Sequence, residues 1–443
     1  MRLVHFSLIS VMLFGCGCGL REQTGSNYQQ TYDRMLQQIR QIAIFDDHGH
    51  PGFAEDTDVD AMAVGPSHPP FRIRSGNPEL IDAAKSLFSY PYSDDSPEHF
   101  KWLVAKKAEM RQNQPGYQYF DGILDKLNVE TMMANRVAMP AYLDPKRFHW
   151  VFFVDSFLFP LDNSDLTERN IDEGVYIPMQ EKLLKRELAQ AGLTALPGNF
   201  ATYLAFVSKV LEQNRAHGGV AIKFEIAYFR SLHFEDPPEA QAAGIYNRYH
   251  AGGKPSAAEH AAFEDFMFRY LLREAGRLHL AMQIHTAVGT GDFFSLTGGN
   301  VLNLENVLRD PRYNNVNFVL LHGGYPFQEQ AIWLGARENV YLDSSLMGLY
   351  LYPADVAEVL RHWLLLYPDK VVFGSDAFPF SEAIGAEECD WLAIESARKA
   401  LAAALSRMII NGEVSEAQAL KFAHGYLHDN AARIYPAPKE PTP

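Results

Sequence analysis

The chain has 443 residues, is 47% hydrophobic and carries a formal net charge of −15. At about 150 residues per domain this length allows roughly three domains, yet single α/β barrels run to ~250 residues or more with insertions, so one enlarged barrel competes with several small units. No Lys/Arg-rich run interrupts the acidic composition, which excludes the cationic face that nucleic-acid binding requires.

In chain order, Arg2 is followed by a mostly apolar stretch from Leu3 to Phe14. It is too short for a membrane span of about 20 residues and suits an export signal. It ends in Leu13-Phe14-Gly15-Cys16, which resembles a bacterial lipobox. The resemblance implies cleavage before Cys16 and its lipidation. The expected organisation is a signal over residues 1–15, a tether over 16–35, one barrel over 36–436 and a loose tail over 437–443. Gly17 after the cysteine lacks the Asp-type signal that retains lipoproteins at the inner membrane. The expected location is therefore outside the inner membrane, lipid-anchored at the outer membrane and facing the periplasm. Past the signal no apolar run is long enough to span a bilayer. Cys389 is the only cysteine in the body of the chain. An internal disulfide is excluded, and any metal must be held by His and carboxylates.

Strand and helix signals then alternate, predicting a parallel α/β architecture. The apolar runs are Ile42–Phe45, Val129–Met139, His149–Val154, Val220–Ile222, Leu280–Ile284, Val316–Leu321, Val340–Leu342 and Val371–Phe373. Between the later runs, Phe263, Phe266, Met267, Tyr270, Leu271, Ala275 and Leu278 recur at helical spacing. Val356, Val359, Leu360, Trp363 and Leu364 do the same, so each helix presents one apolar stripe to a sheet. Pro51–Leu127 and Phe157–Asn199 are longer than a single helix needs. They read as insertions after strands 1 and 3, on the face where barrels place catalysis. Glu382–Tyr435 is helical in pattern and expected to pack outside the barrel. The fold class is a distorted TIM (β/α)8 barrel with two insertions and C-terminal helices.

The chemistry begins at Asp47-His48-Gly49-His50, directly after the first run. Residues two apart in a strand face the same way, so His48 and His50 point together and can share one divalent metal. His285, His322 and Asp376 follow the fifth, sixth and eighth runs. Each therefore stands at the C-terminal end of a strand. Burying such groups unpaired costs several kcal/mol each, on the order of the polar-burial penalty, and a shared metal would satisfy them jointly.

With these residues in place the chain resembles the amidohydrolase superfamily, most closely its amidohydrolase-2 (decarboxylase/lactonase-like) branch. It is similar to the nodulin-type amidohydrolase domains found fused to glutamine-synthetase-like domains. The resemblance rests on the HxH pair, Lys223 with Ala227-Tyr228 and Arg230, Gln283-Ile284-His285-Thr286, Leu320 to Pro326, Gly374-Ser375-Asp376-Ala377 and Asn430 to Tyr435. It implies that His48, His50, His285 and Asp376 hold the metal. It also implies that His322 is the acid/base orienting a water, and that Asp376 shuttles the proton. One zinc is expected, with manganese as the alternative. Lys223 stays open between a carboxylated bridge to a second metal, a contact to an anionic substrate group, and a structural pair with Glu225. Arg230 could clamp a carboxylate or form a surface ion pair. Tyr325 could line the pocket or merely pack. His424 and His428 read as solvated surface.

The leading expectation is a metal-dependent hydrolase that activates water to cleave a C–N or C–O bond, amide or lactone, of a small polar molecule. The alternatives are a metal-dependent lyase decarboxylating a cyclic or aromatic acid, and a non-catalytic metal- or ligand-binding lipoprotein. No nucleic-acid partner is expected, and a membrane only through the anchor.

Overall fold

The eight apolar runs become eight parallel strands in one sheet, in chain order. They are β1 Ile44–Gly49, β2 Val129–Asn135, β3 Phe148–Phe153, β4 Gly219–Phe224, β5 Ala281–His285, β6 Phe318–Leu321, β7 Val340–Asp343 and β8 Val371–Val372. A computed structural model describes residues 16–61, 70–169, 171–287, 289 and 295–435. Most strand residues are buried, as parallel strands covered on both faces must be. The segment around and beyond β8 returns to β1. Asp47 N donates to Phe373 O at 2.8 Å, Asp376 N to His48 O at 2.7 Å and His50 N to Ala377 O at 2.8 Å. These bonds close the sheet into a (β/α)8 barrel.

Two cores result. Outside the strands a large apolar layer joins barrel and helices; Phe263, Met267, Leu271 and Ala275 of the helix Ala257–Leu278 belong to it, as do Val356, Leu360 and Trp363 of Pro353–Leu366. The first of these helices starts at a capping box, in which Ser256 accepts from Glu259 N while the Glu259 carboxylate accepts from Ser256 N. A second cluster groups Phe45, Met133, Val151, Ala221, Ala281 and Val319 with Ala431, Ile434 and Tyr435. The last described residues are therefore not confined to the outside of the barrel, because Tyr435 packs with strand residues and reaches Asp47 and Gln283.

The insertions carry helices of their own, Pro78–Phe88, Pro97–Asn113 and Gln118–Leu127 after β1, and Ser164–Arg169 and Ile171–Gln190 after β3. The expected signal over residues 1–15 lies outside the described residues, as does the tail from residue 436. The stretch expected as a tether is helical, within Cys16–Ile39. Met35 and Ile39 are buried where this helix packs along Ala386–Ile410. Among the described residues no helix is long and apolar enough to cross a membrane.

Candidate metal centre

The strand ends deliver the predicted side chains to one place. His48 lies near the end of β1, His50 directly follows it, and Asp376 follows β8. His48 Nε2 lies 3.1 Å from Asp376 Oδ1, and His50 Nε2 lies 3.4 Å from the same oxygen. One ligand atom from each of the three lies within 4.8 Å of the others, close enough to hold one metal ion. The main chain fixes this grouping, since Asp376 N donates to His48 O, and Ser375 N and His48 N both donate to Asp46 Oδ1, at 2.9 and 3.2 Å. Gly374 has no room for a side chain, because a Cβ there would stand 2.7 Å from Asp343 Oδ1 and 3.0 Å from His48 Cβ.

His322 and His285 stand beside this trio. His322 Nδ1 is 3.8 Å from Asp376 Oδ2, and its Nε2 pairs with His285 Nδ1 at 2.9 Å. Ser345 orients His322 through its hydroxyl at 2.9 Å. His322 and Asp376 both adopt left-handed backbone, with φ of 60° and 54°. Non-glycine residues pay roughly 1–3 kcal/mol for such conformations, which cluster at functional sites. The structure thus brings together four of the predicted strand ends. His285 contacts the trio through His322 and is not one of the three converging ligands.

The electrostatics put His48 and Asp376, but not His50, in their metal-binding forms at pH 7. Burial, with the Lys223 ammonium adding to it, holds His48 well below the usual imidazole range. Burial does the same for His285 and takes His322 down to about 4. These imidazoles are neutral at pH 7, the form that binds metal. Burial opposes ionisation of Asp376, but His48, His50 and His322 outweigh it and keep the carboxyl well below its usual range. His50 goes the other way: burial lowers it, yet Asp60 and Asp376 lift it to about 9. Two imidazole nitrogens and a carboxylate oxygen form the borderline donor set that suits a divalent zinc-like ion.

Lys223, on β4, is buried with Nζ 3.3 Å from His48 Nε2 and 4.0 Å from Glu225 Oε1. It faces the centre. Arg230 takes the ion-pair alternative of its expectation. Its guanidinium is held by Glu264 at 2.8 Å and Asp265 at 2.7 Å, against the helix Ala257–Leu278. Tyr325 is half-buried against the outer core, the packing alternative of its expectation. His428 is part-covered, with its ring 6.1 Å from Phe45 and hydrogen-bonded to Asp429 at 2.9 Å, so only His424 of that pair is a solvated residue. Cys16 carries no described side chain.

Sequence reasoning missed Asp60. Its carboxylate lies 3.0 Å from His50 Nδ1, an arrangement that fixes the ring and raises its basicity. The signal was present as an alternating run of acids, Asp56-Thr57-Asp58-Val59-Asp60, just past the HxH pair. Each acid meets a different partner: Asp56 meets Arg136 at 2.5 Å, Asp58 meets Arg186 at 2.6 Å and Asp60 meets His50. Aromatic rings border the same imidazoles, Phe153 and Phe378 beside His50 and Tyr228 beside His285.

Comparison with known proteins places this geometry. The amidohydrolase family profile matches residues 234–437. Protein fluG of Emericella nidulans is 29% identical over 162 residues, 36% of this chain; the match spans only 18% of that longer protein. Among solved structures, a Lactobacillus casei protein designated a metal-dependent hydrolase aligns over 89% of this chain and 96% of its own, with TM-score 0.57 and 19% identity. Glucuronate isomerase from Caulobacter crescentus aligns over 97% and 96%, with TM-score 0.63 and 12% identity. Uronate isomerase from Thermotoga maritima aligns over 92% and 97%, with TM-score 0.59 and 11% identity. At these identities the structural likeness speaks for the fold, a barrel shared by a hydrolase and by isomerases. The profile match is confined to residues 234–437, so the part of the chain from ahead of β5 through the last helix is similar to the amidohydrolase family, on a barrel fold that the solved structures share.

Proposed function

We propose that the protein is a metal-dependent hydrolase that activates water to cleave a C–N or C–O bond, amide or lactone, of a small polar substrate. The observation that carries this reading is the convergence of His48 Nε2 and His50 Nε2 on one oxygen of Asp376, with neutral His322 behind it. His48, His50 and Asp376 would hold one ion, zinc with manganese as the alternative, and His285 would join them from beside His322. A divalent ion held there supplies Lewis acidity toward a carbonyl and lowers the pKa of a bound water from about 15.7 to about 7.

The chain's own groups do the remaining work. Asp376 stays ionised in the centre and can accept a proton from the attacking water at Oδ2, the oxygen nearer His322. His322, neutral and fixed by Ser345, orients that water, and Asp376 hands the proton it has taken to the leaving group. Lys223 offers a buried cation to an anionic substrate group. The aromatic residues around the imidazoles exclude bulk solvent, which strengthens each of these interactions.

Metal analysis of a soluble chain starting after Cys18, beside His48→Ala and Asp376→Asn, tests this reading. About one equivalent, lost in both variants, supports it. About two equivalents would move Lys223 to a bridging ligand, and no metal after reconstitution would sink the catalytic reading. An amide and lactone panel then tests the reaction, and carbon dioxide release would mark a lyase instead. We also propose that Cys16 carries a lipid anchor that holds the barrel facing the periplasm, on the strength of Leu13-Phe14-Gly15-Cys16. Mass spectrometry of the N-terminal peptide tests it; an unmodified Cys16 in the membrane fraction would refute it.

A further inference from the structure

We propose that Tyr435, at the end of the last helix and far from the chemistry in sequence, is a positioning residue for the metal ligand His48. The inference rests on the reading of His48 as a ligand. Metal-binding histidines nearly always have their second ring nitrogen tied to a neighbour, which sets the plane of the ring. His50 Nδ1 has the Asp60 carboxylate 3.0 Å away as an ion-pair partner. His48 Nδ1, although buried, makes no hydrogen bond among the described residues. Among the described residues the ring nitrogens are met only at Nε2, the metal-facing nitrogen, by Asp376 at 3.1 Å and Lys223 at 3.3 Å, so what fixes the ring from behind is its backbone.

That backbone is poorly held by the sheet alone. The pairing of β1 with β2 shifts register between Asp46 and Gly49, across His48 itself. Such irregularities disrupt the ladder locally. Asp47 compensates for this. Its N–H donates to Phe373 O at 2.8 Å. Its carbonyl, half of the peptide joining it to His48, accepts from Gln283 Nε2 at 2.8 Å. Its carboxyl oxygen Oδ1 accepts from the Tyr435 hydroxyl at 2.7 Å, and Gln283 Nε2 also donates to that hydroxyl oxygen at 2.8 Å. Tyr435, Gln283 and β8 thus hold the peptide that aims His48. The Tyr435 ring lies parallel to Phe45 with centroids 6.2 Å apart, so a phenylalanine could fill the same space. The hydroxyl adds little to packing; what it adds is the hold on Asp47.

The test compares zinc affinity, by competition with a chelating dye, with the melting temperature of the metal-free full chain. Tyr435→Phe is expected to raise the zinc Kd by about tenfold or more, within the range known for groups behind a ligand, with little change in melting temperature. Asn317→Ala is the control. It cuts a separate anchor of the same segment, Asn317 Nδ2 to Ile434 O at 2.9 Å, and does not reach Asp47. It is expected to lower the melting temperature while leaving the Kd within about twofold. An unchanged Kd in Tyr435→Phe, or an equal loss in Asn317→Ala, overturns the inference. If Tyr435→Phe does not fold, Gln283→Met removes the same hold from β5 and must raise the Kd; an unchanged value overturns it equally. A wild-type chain that binds no zinc overturns the reading of the site, and the inference with it. A wild type that binds zinc beside a Tyr435→Phe chain that binds it equally well overturns the inference alone.

Discussion

Replacing Asp60 with asparagine removes a charge from behind His50 while keeping an acceptor for its Nδ1–H. The carboxylate stands 3.0 Å from that nitrogen. Partners of this kind contribute about 10- to 100-fold in metal affinity, or about 1.4–2.7 kcal/mol. The same carboxylate, however, helps lift His50 to about 9 in the metal-free protein. At pH 7 a metal must displace that proton, a penalty of about 100-fold for a pKa two units above the pH. Asp60→Asn lowers both the intrinsic affinity and the competing proton's hold. The two effects oppose each other at pH 7. Above about pH 9, where wild-type His50 has lost its proton, only the intrinsic loss remains. The expected result is a zinc Kd close to wild type near pH 7 and weaker by about 10- to 100-fold near pH 9.5. Chelator competition at the two pH values measures it, and calorimetry should detect about one proton released per metal by the wild type near pH 7. An equal deficit at both pH values, or none at the higher one, would refute the assignment of Asp60 as the orienting and charge-supplying partner.

Three further outcomes follow from the packing. Arg230→Ala should leave zinc affinity unchanged but destabilise the fold by about 1–3 kcal/mol, because Glu264 and Asp265 lose their cation; denaturant midpoints check this, and lost metal would restore Arg230 to the site. Gly323→Ala should be strongly destabilising, since its φ is +52° and a Cβ would stand 2.0 Å from the Trp363 ring; a chain that melts like wild type would contradict that crowding. Lys107 lies between Glu387 and Glu388, and burial lifts Glu388 to about 7. A carboxyl whose folded pKa is raised stabilises fully below its unfolded pKa, and that stability is lost as pH rises through the folded value. Wild-type stability should therefore gain a falling component between about pH 4.5 and about pH 7, and Glu388→Gln should flatten it in urea melts; an unchanged slope would refute it.

Much of this protein was legible from residue order alone. Eight apolar runs separated by helical stripes dictate a parallel barrel, because buried parallel strands need apolar residues on both faces and amphipathic helices need a sheet to cover. The ends of those runs then name His48, His50, His285, His322 and Asp376, since a strand's last residues emerge at one rim of the barrel. What the order of residues could not decide were the partnerships made across the barrel. Asp60 is one acid in a run of three, and only the path of the loop selects it for His50 while sending Asp56 to Arg136 and Asp58 to Arg186. Arg230 follows β4 within seven residues of Lys223, yet the turn after the strand carries it to Glu264 and Asp265 while Lys223 points at His48. Tyr435 reads as the end of an outer helix, and closure of the barrel around it is what brings its hydroxyl to Asp47. Strand periodicity is local and can be read along the chain, whereas hydrogen bonds and ion pairs between distant residues exist only once packing has set their distances.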